Sequence, residues 1–231
     1  MPSVKLVSKT CEVFDEGDWY SGLMEVYLAK VARVSNPSNE NNHATAPKLI
    51  KYLIDHNHWS PFEMADITVE INCTRDIARQ ILRHRSFSFQ EFSQRYAEAT
   101  DFEYSAARLQ DKKNRQNSFE TDDQKLKEWW QTAQHDVYRY ADIIYRAALD
   151  MDIAKELARK LLPEGLTMSR LYMKGSIRSW IHYLQVRLDP STQKEHREVA
   201  KLIRDIVIQE VPGLEYILPV SESDQSNPPQ S

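Results

Sequence analysis

The chain has 231 residues, 41% of them hydrophobic and 28% charged, and a formal net charge of -4. That length suffices for one sizeable domain with its own core, and the mild acidity argues against an extended basic, polynucleotide-coating surface. Five glycines with no GxGxxG or Walker pattern exclude the usual dinucleotide and P-loop folds, and two cysteines, Cys11 and Cys73, exclude a disulfide framework and a cysteine metal cluster.

Val4 to Ser8 reads as a short opening strand. Tyr20 to Val34 has helical spacing, with Leu23, Val26, Tyr27, Val31 and Val34 on one side. Pro37 and the Asn-rich stretch Asn36 to Asn42 interrupt it. Ala44 to Asn57 is a second helix that would carry Leu49, Tyr52 and Leu53 inward. Pro61 then forbids a regular helix and sets a turn in which His58, Ser60 and Glu63 gather with Trp59 and Phe62. Asp66 to Thr74 alternates Ile67, Val69, Ile71 and Cys73 against polar residues, the pattern of a half-buried strand. Cys73 belongs to the core in this reading, not to nucleophilic chemistry.

Arg75 to Tyr96 holds the concentration of charge. Arg75, Arg79, Arg83, Arg85 and Arg95 face only Asp76 and Glu91, a local excess of about +3 with His84 neutral. Ile77, Ala78, Ile81 and Leu82 make one apolar stripe of a helix, and Asp76, Gln80, Arg83 and His84 fall on its other side. Ser86-Phe-Ser-Phe is poor helix, so Arg83-His84-Arg85 sits near a helix C-terminus, where cations are favoured. Ser93 and Arg95 follow in a polar segment that is expected to return over the same site, where a hydroxyl and forked guanidinium groups suit a phosphate. By charge alone, a functional anion site and a solvated helix face stand level. A basic helix with Phe87, Phe89, Phe92 and Tyr96 also suits single-stranded nucleic acid, and Arg with aromatics suits a subunit interface.

Arg108 to Asp123 shows no apolar period and reads as a mobile loop or an insertion. Leu126, Trp129, Trp130, Ala133, Val137, Ala141, Ile144 and Ala148 define a long amphipathic helix, and a shorter one runs from Ile153 to Leu162, stopped by Pro163. Thr167 to Lys174 reads as a strand. Ser176 to Leu188 reads as a helix with Ile177, Trp180, Ile181 and Leu184 on its apolar face and Ser176, Arg178, His182 and Arg187 on or beside the polar one. Thr192-Gln-Lys-Glu195 fits a capping box opening a last helix through Ile208. Residues 220–231 have the composition of a disordered tail, leaving 1–219 as a single domain. No apolar run approaches a membrane span, and Met1-Pro-Ser-Val-Lys5 lacks a signal region, so the expectation is a cytoplasmic protein.

Arg83-His84-Arg85, seven residues and then Ser93, with Arg95-Tyr96 after it, resembles the signature of the flavin-dependent thymidylate synthases. His58-Trp-Ser-Pro-Phe-Glu63 resembles the family's upstream segment, and Leu157-Ala-Arg-Lys-Leu-Leu-Pro163 and Arg178 to Asp189 resemble its second half, so the likeness covers Ser60 to Ala200. The resemblance implies an α+β fold, a mixed α/β domain with a central antiparallel sheet flanked by helices, assembled as a homotetramer with shared sites. It implies a flavoprotein methyltransferase converting dUMP to dTMP, with FAD bound, 5,10-methylenetetrahydrofolate as carbon donor, NADPH as reductant, and no metal, membrane or polynucleotide partner. By position, it places Arg83, His84, Arg85, Ser60, Glu91, Ser176, Ile177, Arg178 and His182 at the cofactor. Gln80, Arg83, Glu91, Phe92, Ser93, Gln94, Arg95, Arg159 and Arg187 fall at the nucleotide, Arg187 facing the uracil as the catalytic group. Met64, Gln94, Ser176 and His182 stand where relatives often carry His, Gly, Asn and Asn.

Overall fold

The computed structural model describes residues 1–12, 23–99 and 101–218. Among the described residues six strands are formed: β1 (Ser3–Lys9), β2 (Asp66–Thr74), β3 (Ser88–Glu91), β4 (Arg108–Gln110), β5 (Ser118–Glu120) and β6 (Met168–Ser176). Seven helices accompany them: α1 (Met24–Ala32), α2 (Ala46–Asp55), α3 (Arg75–Ile81), α4 (Gln124–Asp150), α5 (Lys155–Ala158), α6 (Ile177–Arg187) and α7 (Lys194–Glu210). The expected central antiparallel sheet is present. It has four strands in the order β1-β2-β6-β3.

The sheet is built on β2 and β6, which pair in one uninterrupted register from Asp66↔Ser176 to Thr74↔Met168. The alternation along β2 turns Ile67, Val69, Ile71 and Cys73 to the interior, all of them buried. Each such aliphatic side chain contributes on the order of 2 kcal/mol when removed from water. From β6, Leu171 and Met173 meet them, and Trp180, Ile181 and Leu184 of α6 and Val199, Ile203 and Val207 of α7 complete the core. Cys73 is part of it, and burial pushes its thiol pKa up to about 12. A thiol so held is not a nucleophile at neutral pH.

Two strands run directly into helices. Thr74 hands β2 to α3, and Ser176 hands β6 to α6, capping it by accepting the Ser179 N–H at 3.3 Å. The two helices therefore start from the two ends of one antiparallel pair, and the loop after α3 passes α6, where Ser179 Oγ donates to Ser86 O at 3.2 Å.

Several expectations need correction. The buried face of α1 is Met24, Glu25, Leu28 and Ala29, while Val34 is 76% exposed beyond the helix end. Tyr20, where the helix was expected to begin, lies outside the described residues, as does the tail 220–231. In α2 Leu53 is buried and Leu49 packs on the core as expected, joined by Ala46, Ile50 and Ile54, but Tyr52 is exposed and stacks on His56. Both errors are rotations of the apolar face by about one residue, which a broad stripe permits. Ser88–Glu91 was not foreseen as a strand; as a four-residue edge strand it shows little period of its own. The polar 108–123 segment is ordered as the β4–β5 hairpin, held by cross-strand pairs and by Arg108 and Glu120 bonding Glu195 and Lys194. The capping box is absent. Gln193 is the N-cap of α7, Thr192 Oγ1 donates to Val186 O at 3.2 Å, and Glu195 is taken by Arg108. Along α4, Trp130 docks its Nε1 on Ser105 O at 3.0 Å, but Trp129 and Val137 of the expected apolar stripe are exposed.

Candidate active site

The Arg-His-Arg motif lies just after α3, in the turn between that helix and β3. Hydrophobic Ile77, Ala78 and Ile81 anchor α3 in the core, so its polar side faces out towards α6 and α7. Arg83 and Arg85 are exposed and carry no ion pair among the described residues. His84 instead turns inward. Its Nε2 accepts from Arg187 Nε at 2.9 Å, and its ring packs edge-on against Tyr183. Burial first, and the Arg187 guanidinium second, hold His84 down to a pKa of about 4. A neutral imidazole can accept this bond, whereas an imidazolium has no lone pair to offer. His84 thereby fixes the guanidinium of Arg187, the last residue of α6.

Beneath this pair lies a buried polar chain. Tyr183 Oη and His196 Nε2 are 3.0 Å apart, His196 Nδ1 and Gln80 Oε1 are 3.2 Å apart, and Gln80 Nε2 donates to Gln193 Oε1 at 2.7 Å. His196 is fully buried in α7, and burial, then Arg187 and His84, hold its pKa at about 3. Burial likewise drives the Tyr183 hydroxyl far above its ordinary range.

A second group forms at the start of α6. Glu63, in the 3-10 turn Ser60–Glu63 that Pro61 initiates, accepts from Ser176 Oγ at 2.6 Å and from Arg178 Nη1 at 3.0 Å. Ser60, Met64 and His182 are exposed around it, and His182 lies 5.4 Å from the Trp59 ring. Ile177 is buried beneath. With Arg83 and Arg85 free for phosphate, and hydroxyls, a guanidinium and aromatic faces at the α6 start, the donor set fits a flavin nucleotide.

A third group lies at the other end of β3. Glu91 receives Arg79 at 3.2 Å, Arg75 at 3.7 Å and the Ser169 hydroxyl at 2.9 Å. Phe92 continues the sheet through its N–H to Arg170 O, after which Ser93 opens a turn closed by the Tyr96 and Ala97 N–H groups. Ser93 Oγ accepts from Arg95 N, and no imidazole among the described residues bonds it, so nothing there makes Ser93 a nucleophile. Arg95 pairs with Glu156 at 3.3 Å, and Arg159 Nε bonds the Glu156 carbonyl, so the two arginines meet over α5. Gln94 is buried, with its Nε2 unpartnered among the described residues.

Ser93 and Arg95 thus do not fold back over Arg83–Arg85 within one chain. Ser86 and Ser93 stand at opposite ends of the extended run through β3, which spans roughly 20 Å. Nor does the cavity of about 110 Å³ under Cys73, Asp76, Arg108, Gln193 and Glu195 include Arg83, Arg85 or Arg187. Each set of groups is well built, but the face that joins them is open. Sequence reasoning left Glu63, Tyr183, Gln193 and His196 unassigned. Tyr183 and His196 hide within apolar helical stripes, and only their partners reveal a polar purpose.

The family model described as thymidylate synthase complementing protein matches residues 23–213. A flavin-dependent thymidylate synthase of Synechocystis is 54% identical over 188 residues, covering 81% of this chain and 86% of that protein. A probable flavin-dependent thymidylate synthase of Paramecium bursaria Chlorella virus 1 is 46% identical, covering 92% of this chain and 96% of that protein. Among solved structures, a UMP/dUMP methylase of Streptomyces cacaoi bound with 5-Br dUMP superposes with a TM-score of 0.78 at 26% identity, covering 94% of each chain. The chain belongs to the thymidylate synthase complementing protein family, the flavin-dependent thymidylate synthases.

Proposed function

We propose that this chain methylates dUMP to dTMP, taking the carbon from 5,10-methylenetetrahydrofolate and using FAD reduced by NADPH. The observation that carries the reading is the His84–Arg187 pair. It presents a guanidinium, held by a neutral acceptor, beside the two unpaired cations of the Arg-His-Arg motif. A guanidinium near uracil N3 and O4 stabilises negative charge on the ring and makes its C5 electron-rich without a proton to be managed. Flavin, when bound, supplies the hydride. The remaining steps asked of the chain are positional. Arg83 and Arg85 hold phosphate, and Arg83 also reaches the nucleotide. Ser60, Glu91, Ser176, Ile177, Arg178 and His182 border the cofactor. Gln80, Glu91, Phe92, Ser93, Gln94, Arg95 and Arg159 receive the nucleotide, with Ser93 and Arg95 at its phosphate.

The two halves of this set lie at opposite ends of β3, which favours a homotetramer in which the Ser93–Arg95 turn of one copy faces the Arg187 group of another. Exposed Trp129, Val137, Tyr140 and Ile143 on α4 offer apolar surface for such assembly. No helix among the described residues is long and apolar enough to cross a membrane, and we place the reaction in the cytoplasm.

The test is the visible spectrum of the purified protein under anaerobic conditions. Flavin bands that NADPH bleaches, faster when dUMP is present, are the expected result. A protein that takes up no FAD overturns the reading.

A further inference from the structure

His196 is a fully buried histidine on a helix whose next inward residues, Val199, Ala200 and Ile203, are apolar. Burying an imidazole costs free energy unless both ring nitrogens are satisfied, and here both have a partner, while Gln193 donates its Nε2 to the Glu195 carboxylate and so turns its Oε1 to the Gln80 amide. A tyrosine hydroxyl whose ionisation burial suppresses can donate to Nε2. The neutral ring then carries its proton on Nδ1 and donates to Gln80 Oε1. With its oxygen held at the His196 ring, the Gln80 amide turns its NH2 group the other way, one N–H given to Gln193 Oε1. The His196 ring lies 6.4 Å from that of His84, which holds Arg187, so Gln80 and Arg187 flank the same pair of rings.

We propose that Tyr183 and His196 are positioning residues that lock the Gln80 amide with its N–H outward, so that Gln80 and Arg187 together present donors only and select a pyrimidine with carbonyls, uracil, over one with an exocyclic amine, cytosine. This rests on the nucleotide reading given above. An unlocked glutamine amide turns over freely and offers its oxygen to an amine as readily as its nitrogen to a carbonyl. The locked amide leaves the cytosine amine facing a second donor, an unpaired polar contact that binding cannot tolerate.

The FAD-loaded enzyme is titrated with dUMP and with dCMP, following the perturbation of the flavin absorbance. The wild type is expected to prefer dUMP. In His196→Leu the preference should fall at least about tenfold, the loss of one enforced hydrogen bond and one repulsion. Equal weakening of both nucleotides in His196→Leu, with the ratio unchanged, overturns the proposal, since a merely structural histidine acts that way. If His196→Leu loses its flavin, Tyr183→Phe decides instead: it frees the tautomer, and an unchanged ratio there overturns the proposal as well. Failure of the nucleotide reading looks different. The wild-type flavin then responds to neither nucleotide, and the proposal falls with that reading.

Discussion

Arg187 and Ser93 separate charge stabilisation from nucleophilic chemistry. Replacing Arg187 by Lys keeps a cation but loses the planar fork and the Nε donor that His84 accepts. We expect kcat to fall roughly 100-fold or more while the flavin spectrum is retained, as measured by single-turnover flavin oxidation. Ser93→Ala removes one hydroxyl from a phosphate site. The expected result is a rise in KM for dUMP of about tenfold with kcat little changed, and collapse of kcat would make Ser93 a nucleophile after all. The two histidines add an acid limb to stability. Both have folded pKa values below the ordinary 6.5, His84 at about 4 and His196 at about 3. The unfolded chain therefore binds their protons first, and stability present above pH 6.5 is lost as pH falls towards those values. Urea midpoints should decline over that window, and less steeply in the His196→Asn, Tyr183→Phe double variant. The arginines, His84 and Ser93 were legible in the sequence because charge and spacing mark them. Tyr183 and His196 were not, because a buried polar residue in an apolar stripe looks like packing until its partner is seen.

At the scale of elements, β6 and the turn after α3 are coupled through Gly175. A Cβ there would stand 2.4 Å from Phe87, whose ring packs on Trp180 and Tyr183. Gly175→Ala must push Phe87 aside and disturb the packing beside His84. Destabilisation of about 1–3 kcal/mol is expected from overpacking, together with weaker flavin retention, both readable in urea melts of the FAD-loaded protein. Strands β2 and β6 and helices α3, α4, α6 and α7 were visible from periodicity, which is strong where one face is uniformly buried. Tyr27 packs on the core as its place in the α1 stripe suggests, but Leu23 and Val34 at the stripe's ends are exposed, and Tyr52 of α2, counted as apolar, stacks on a histidine at the surface. The β4–β5 hairpin carries no apolar alternation. Ion pairs to α7 and a hydrogen bond from the Asn117 amide to Asp111 order it instead, and such terms have no period to read.

For the whole molecule, α4 is the sharpest clue. A 27-residue helix extends about 40 Å, and a single chain covers little of its apolar surface. Trp129, Val137, Tyr140 and Ile143 remain exposed, Tyr140 at 69%. Sedimentation at micromolar concentration should find an assembly larger than one chain. Tyr140→Glu with Ile143→Glu should shift it to smaller species and cost most of the activity, because the Ser93–Arg95 turn would lose the Arg187 group of its neighbour. A double variant that dissociates yet turns over at the wild-type rate would place the whole site within one chain.

Sequence by itself determined the family, the charge cluster and the strands and helices that carry it, since these depend on residue type, spacing and local periodicity. Only the tertiary structure decided that His84 faces inward to hold Arg187, that Tyr183, His196 and Gln80 form one hydrogen-bonded chain, and that Ser93 and Arg95 stand away from the Arg-His-Arg turn. Those facts depend on which helix faces meet across the sheet and on the length of β3, and His84 with Arg187 or Gln80 with His196, more than a hundred residues apart, leave no local pattern.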